Sequence, residues 1–314
     1  MNRFLNYFVV SWRAFSKVSI FFLILGVFNN RINVNAQPLK KQDSIHTKKL
    51  VGVSIASAGF WASSLYLLNN VWYANSPRSS FHIFDDQQEW MQMDKVGHIF
   101  SAYHAANLLT QAYTWTGVKQ SKAATIGSLA TLAYLTSVEY LDGTNQAWGF
   151  SWSDQIANTL GAGVAWWKNQ PSHSTAIYFK QSYSPSPYAG LRPSVLGKTN
   201  IERYLKDYNG QTYWLSFSPN RLLGTDFVPK FLLLSLGYSC DSKLEGHANE
   251  YVAANGIKYT AQREFLVSLD IDFNQVPFKR KWVKKLFSVF QLIKVPLPTI
   301  QLRGSTISFQ PAYF

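Results

Sequence analysis

Three short stretches hold the residues whose types and spacing allow chemistry. Asp94-Lys95-Val96-Gly97-His98 opens one apolar segment, Glu139 stands near the end of a second, and Ser151-Trp152-Ser153-Asp154-Gln155-Ile156-Ala157-Asn158-Thr159-Leu160-Gly161 opens a third. Asp94, His98 and Ser101 fall at i, i+4 and i+7, one face of a helix, and Asp154, Asn158 and Gly161 repeat that spacing on another. The candidate catalytic cluster is therefore Asp94, Lys95, His98, Glu139, Asp154 and Asn158. In it His98 would act as general acid or base, oriented by Asp94 or Asp154, with Lys95 holding an anionic group and Glu139 as a second carboxylate. One histidine with three carboxylates could instead take a divalent metal, but a single imidazole selects weakly and no His-x-x-x-His or Glu-x-x-His pair is present. Helix capping explains part of the pattern, since Ser151 suits an N-cap and Asp94 and Asp154 suit first turns. It does not explain Lys95, His98, Glu139 and Asn158 together in apolar segments, where each buried polar group costs about 1–3 kcal/mol if unpaired.

The elements that must position these residues are helical. No charge occurs between Leu50 and Asn75 or between Val96 and Val118, and shorter uncharged runs cover Ala123–Val138 and Gln155–Trp167. The last two are too short for standard spans, so the expectation is a membrane-associated four-helix bundle, Glu139 ending its third helix. Gly97, Gly127, Gly161 and Gly163 would let the helix backbones approach closely.

After Pro171 the apolar period changes from 3.6 to 2. Short strand-like runs occur at Ala176–Lys180, Tyr213–Phe217, Phe231–Tyr238, Thr299–Leu302 and Thr306–Phe309. Between them Phe265, Val267, Leu269, Ile271 and Phe273 alternate with Glu264, Ser268, Asp270 and Asp272, the pattern of a half-buried antiparallel strand. The chain ends Pro-Ala-Tyr-Phe, and a terminal Phe after such a strand is common in outer-membrane barrels, yet about six short runs fall below the eight strands of bacterial barrels. The fold class expected is α+β: a helical bundle followed by a small antiparallel sheet packed on it, with one basic amphipathic helix near 277–290. In that helix Lys279, Arg280, Lys281, Lys284 and Lys285 oppose Trp282, Val283, Leu286, Phe287 and Phe290, which makes Lys281, Trp282, Lys284, Lys285 and Phe287 candidate membrane contacts.

Arg3, Arg13 and Lys17 precede the apolar run Val18–Phe28, and Val34-Asn35-Ala36 supplies small residues before Gln37. Residues 1–36 thus read as a cleaved secretory signal, followed by a helical region over 37–170 and a β-rich region over 171–314. Without them the chain keeps 26 Lys and Arg against 17 Asp and Glu. With export and no nucleic-acid recognition motif, that basic excess points to membrane lipids or an envelope polymer as partner, and not to nucleic acid. The chain of 314 residues is 47% hydrophobic and only 15% charged, against the roughly 25% of ordinary domains, so a disordered chain is excluded. Cys240 is the single cysteine, so neither a disulfide framework, a cysteine zinc site nor a lipid-bearing cysteine after the leader is available.

Asp94-Lys95-x-Gly97-His98, Glu139-x-x-Asp142-Gly143 and Gly149-Phe150-Ser151-x-x-Asp154-x-x-Ala157-Asn158-x-x-Gly161 resemble domain-of-unknown-function family 2279, described as predicted periplasmic lipoproteins. Lys206-Asp207-Tyr208-Asn209-Gly210-Gln211-Thr212-Tyr213-Trp214-Leu215-Ser216 and Lys294-Val295-Pro296-Leu297-Pro298 are similar to its long version in the Bacteroidetes. Over roughly residues 90–165 the order of these motifs also looks like VanZ-like membrane proteins. The missing lipobox cysteine keeps the lipoprotein label from transferring, and neither family implies a reaction or a cofactor.

Two functions stay open at this point. One is an exported structural or binding protein of the cell envelope, periplasmic or membrane-associated, with the outer membrane favoured over the inner. The other is a membrane-associated enzyme acting on a lipid-linked or phosphorylated envelope precursor. The absence of a nucleophile motif such as Gly-x-Ser-x-Gly favours the first.

Overall fold

The structure, a computed structural model, describes residues 44–73, 76–172 and 177–314; the expected leader over 1–36 lies outside them. The chain is α+β, helices first and an antiparallel sheet after, in two compact units: Met1–Gln87 with His98–Ser174, and Gln88–Gly97 with Thr175–Phe314.

In the first unit, helix α1 (Thr47–Leu67) runs into a π-helical turn, Leu68–Trp72. Among the described residues Thr47–Asn70 is long and apolar enough to cross a bilayer, with a mean hydropathy of 1.5. Leu50 and Val53 pack against Tyr113, Val118 and Ala123, while Val51 and Ile55 stay exposed. Helices α2 (Met93–Trp115), α3 (Gln120–Gly143) and α4 (Trp152–Lys168) follow. The third does not stop at Glu139 but continues to Gly143, because the uncharged run understates a helix that tolerates a carboxylate in its last turns.

Glycine governs the close approaches. A Cβ on Gly127 would lie 2.7 Å from the Thr110 amide nitrogen, and one on Gly161 would collide with the Ile99 carbonyl oxygen, so α3 and α4 each lie backbone to backbone against α2. A Cβ on Gly97 would meet the Tyr213 hydroxyl at 3.1 Å. Gly163, expected to serve the same purpose, faces open space.

The second unit is a six-stranded antiparallel sheet in the order β1-β2-β3-β6-β7-β8: β1 (Ile177–Tyr183), β2 (Gln211–Phe217), β3 (Leu232–Asp241), β6 (Gln262–Ile271), β7 (Leu297–Arg303) and β8 (Thr306–Tyr313). The hairpin β4 (Glu250–Val252) and β5 (Lys258–Thr260) forms a separate ladder between β3 and β6, too short to leave a periodic signal in the sequence. Short helices α5 (Pro193–Leu196), α6 (Asn200–Lys206) and α7 (Pro219–Leu223) flank β2. Helix α8 (Lys281–Val289) precedes β7. Segment 88–97 is pinned to this unit through the Tyr238 hydroxyl, which donates to the Met91 carbonyl at 2.5 Å, and through Arg263 to Gln92 at 2.6 Å.

Alternation along the strands is as the sequence implies, but the covered face takes most of the polar residues, set among Trp214, Leu233 and Leu266. On β6, Glu264 and Ser268 are each 3% exposed and Asp270 0%, whereas Phe265 is 52% and Val267 and Leu269 each 43% exposed. The register extends the same two-sidedness across the sheet. Ser216 pairs with Ser235 and Ser268 with Thr299 on the covered face; Leu215 pairs with Leu236 and Val267 with Ile300 on the open one.

The cause is curvature. Thr212 on β2 and Tyr313 on β8 stand four strand steps apart, about 19 Å in a flat sheet, yet their hydroxyls are 3.1 Å from each other. The sheet therefore coils around its polar side chains. The chain leading into β7 also reaches β1, the Lys294 amide donating to the Gln181 carbonyl at 3.0 Å in an isolated bridge.

Candidate functional site

The start of α4 organises the site in the helical unit. Ser151 caps the helix, its hydroxyl accepting from the Asp154 amide at 3.0 Å while donating to Asp86 at 2.7 Å. Capping thus uses Asp154's backbone and leaves its carboxylate to face α2, where Asp154 Oδ1 lies 3.8 Å from His98 Nε2. One turn on, Asn158 Oδ1 is 3.1 Å from His98 Nδ1. From α3, Glu139 Oε1 approaches the same ring nitrogen at 3.9 Å. Four of the six expected residues, His98, Glu139, Asp154 and Asn158, therefore meet on three helices.

Their exposure is graded. Glu139, Asp154 and Asn158 are buried, and the His98 side chain is 27% exposed, so the ring is the open side of the cluster. Asn158 Nδ2 is buried with no hydrogen-bond partner among the described residues, a deficit of about 1–3 kcal/mol that an oxygen ligand or water would relieve. With Nδ1 donating to Asn158, the Nε2 side of the ring turns to Asp154; a protonated ring would serve both.

Asp94 and Lys95 belong to the other unit. Lys95 Nζ is 3.0 Å from Asp94 Oδ2, and the Tyr208 hydroxyl donates to Asp94 Oδ1 at 3.0 Å. Asp94 stands one turn before His98 along α2. One imidazole with carboxylates around it is a donor set that suits a cation better than an anion.

Other motif residues support the frame. The Tyr73 hydroxyl donates to Asp142 at 2.6 Å, and burial, followed by the charge of Asp142, pushes that hydroxyl's pKa well up. A side chain on Gly143 would meet the Phe81 ring at 2.6 Å. Asp86, missed in the sequence because no helical period marks it, takes the hydroxyls of both Ser151 and Ser153 at 2.7 Å.

The candidate membrane contacts divide. Lys281 and Trp282 are exposed and Lys284 is half-buried, whereas Phe287 packs on Phe273 and Phe278 at ring distances of 5.3 and 5.0 Å; the side chain of Lys285 lies outside the described residues. Phe287 is thus the anchor that holds the helix to its own unit, with Trp282 and Leu286 left open.

Residues 83–170, which contain the His98 cluster and its capping frame, match domain-of-unknown-function family 2279, described as a predicted periplasmic lipoprotein. Over that stretch the resemblance seen in the sequence stands. No curated protein and no solved structure gives a significant match to the chain.

Proposed function

We propose that the protein is an exported, membrane-associated binding or structural protein of the cell envelope, its first unit a four-helix bundle that holds a polar ligand at His98. The observation that carries this reading is the polarity of the helical unit. Glu139, Asp154 and Asn158 are buried, while Val51, Ile55, Ile126, Leu129, Ile156 and Leu160 are exposed. In water that distribution wastes apolar burial worth about 25 cal/mol per Å²; in a bilayer it is the expected one. Similarity to a family described as periplasmic, and the leader-like sequence pattern over residues 1–36, support export. The ligand suited to an imidazole flanked by carboxylates is a cation, a metal ion or an ammonium-bearing headgroup.

Lys95 is engaged by Asp94, which weighs against the enzyme reading, where that lysine would hold an anionic group. The basic, half-open helix α8 supports headgroup contact, each lysine near an anionic surface adding about 1 kcal/mol.

Fractionation of expressing cells tests the proposal. The mature chain, beginning at Gln37 by N-terminal sequencing, is expected to stay in the outer-membrane fraction through salt and alkaline carbonate washes. Recovery in the soluble fraction, or with Met1 retained, would overturn it. Replacement of Lys281, Lys284 and Lys285 by Gln should weaken cosedimentation with anionic vesicles and reduce its salt sensitivity.

A further inference from the structure

We infer that the convex face of the six-stranded sheet is buried among phospholipid acyl chains. The inference rests on the membrane association proposed above and goes beyond it by naming the surface that enters the bilayer.

Four adjacent strands present the same outward pattern. Leu236 on β3, Phe265, Val267 and Leu269 on β6, Ile300 and Leu302 on β7, and Ile307 and Phe309 on β8 are all exposed. The other side of the sheet buries, beside Trp214, Leu233 and Leu266, polar groups that a soluble sheet would put outside. Lys180 and Asp270 form an ion pair of 2.7 Å with no solvent exposure, and Ser216 donates to Asp270 at 2.9 Å beside Ser235. Lys294 lies over the Trp214 ring at 4.9 Å. Alternation with apolar residues outward and polar residues inward is the arrangement of strands in lipid, where the apolar side meets hydrocarbon and every polar group must find an internal partner.

Dimensions and charge agree on the occupant. Strands β3 and β6 have ten residues each; at about 3.4 Å per residue and a tilt of about 45° they cover about 24 Å along the normal, close to the apolar band of barrels in membranes. Around the Ile271 end of β6 lies α8, held by Phe287 against Phe273, with Lys281 and Trp282 exposed. At the other end stands Arg263, exposed on the same side of β6 as Phe265. Cations and an aromatic at the limits of an apolar belt match anionic headgroups on either side of acyl chains. A second copy of the chain would cover one flat side, whereas this belt follows the curve of four strands.

Site-directed fluorescence tests the inference with the full chain in phosphatidylglycerol–phosphatidylethanolamine vesicles. Val267→Cys, Ile300→Cys and Ile307→Cys carry a bimane label on the belt, and Asn255→Cys carries it on the exposed β4–β5 turn; Cys240 is buried and stays in place, with labelled wild type as the background. Three belt positions guard against one variant failing to fold, which circular dichroism reports.

Bimane at 267, 300 and 307 is expected to be quenched several-fold more by brominated acyl chains than bimane at 255, and to resist aqueous iodide. Equal iodide quenching at all four positions in vesicle-bound protein would overturn the inference and leave membrane association standing. Protection of the belt from both quenchers, with crosslinked dimers, would overturn it in favour of a second copy. Failure to bind vesicles at all would remove both readings.

Discussion

Lys180 Nζ and Asp270 Oδ2 are 2.7 Å apart with neither side chain exposed, although their strands, β1 and β6, are three steps apart in the sheet. A flat sheet would separate them by about 14 Å, so the pair exists only because the sheet closes around it. Lys180 also donates to the Ile271 carbonyl at 2.8 Å, and its charge is left with no solvent to turn to. Asp270→Ala should destabilise the protein by about 3–5 kcal/mol, as removal of one partner from a buried ion pair does, while Lys180→Met with Asp270→Leu should recover most of the loss. Denaturant midpoints of the two variants check this.

His98 and Asn158 should differ in what they cost. His98 is partly open, so His98→Ala is expected to change stability by no more than about 1 kcal/mol, while Asn158→Ala leaves the ring nitrogen without its partner and opens space in a buried helix contact, costing about 1–3 kcal/mol. Both should abolish ligand-dependent protection. A thermal melt with and without added Mn²⁺ separates the two effects, and a large loss of stability from His98→Ala would mark the cluster as structural.

Gly161 bears on the Ile99 carbonyl and the Ala102 methyl. Gly161→Val should force α4 off α2 and cost about 1–3 kcal/mol or more by overpacking, whereas Gly163→Ala, made where a Cβ meets nothing, should be neutral or slightly stabilising through helix propensity. The difference in their unfolding midpoints is the measurement.

Lys206 supplies a pH dependence. Burial lowers its pKa from 10.5 to about 8, with Glu202 pulling it back up and Lys198 adding to the depression. Between those values the unfolded chain holds a proton that the folded chain has lost, so stability should rise with pH from about 8 towards 10. Above that, tyrosines such as Tyr204, whose pKa is raised by burial, act in the opposite sense. Lys206→Gln should flatten the rise, read as denaturant midpoints across the window.

The four long helices, the basic helix α8, the six main strands and the spacing of the polar residues were legible because each rests on a local period, whereas the short helices α5, α6 and α7 carry none. An apolar repeat of 3.6 or 2 depends on side-chain direction along one element, and the i, i+4 spacing of Asp154 and Asn158 assigns them to one face whatever the element packs on. The three-residue strands β4 and β5 left no such trace, nor did Asp86, whose role depends on two serines 65 and 67 residues away.

Which face of a strand is covered is not a local property. The alternation of Phe265, Val267 and Leu269 with Glu264, Ser268 and Asp270 is the same whether the sheet bends one way or the other, and only closure of β2 towards β8, read in the Thr212–Tyr313 contact, put the polar set inside. Likewise the sequence by itself placed His98, Glu139 and Asn158 on helices, but their meeting was decided by two glycines, Gly127 and Gly161, that bring the backbones of α3 and α4 against α2. Local spacing sets the direction of each side chain; long-range packing sets what it points at.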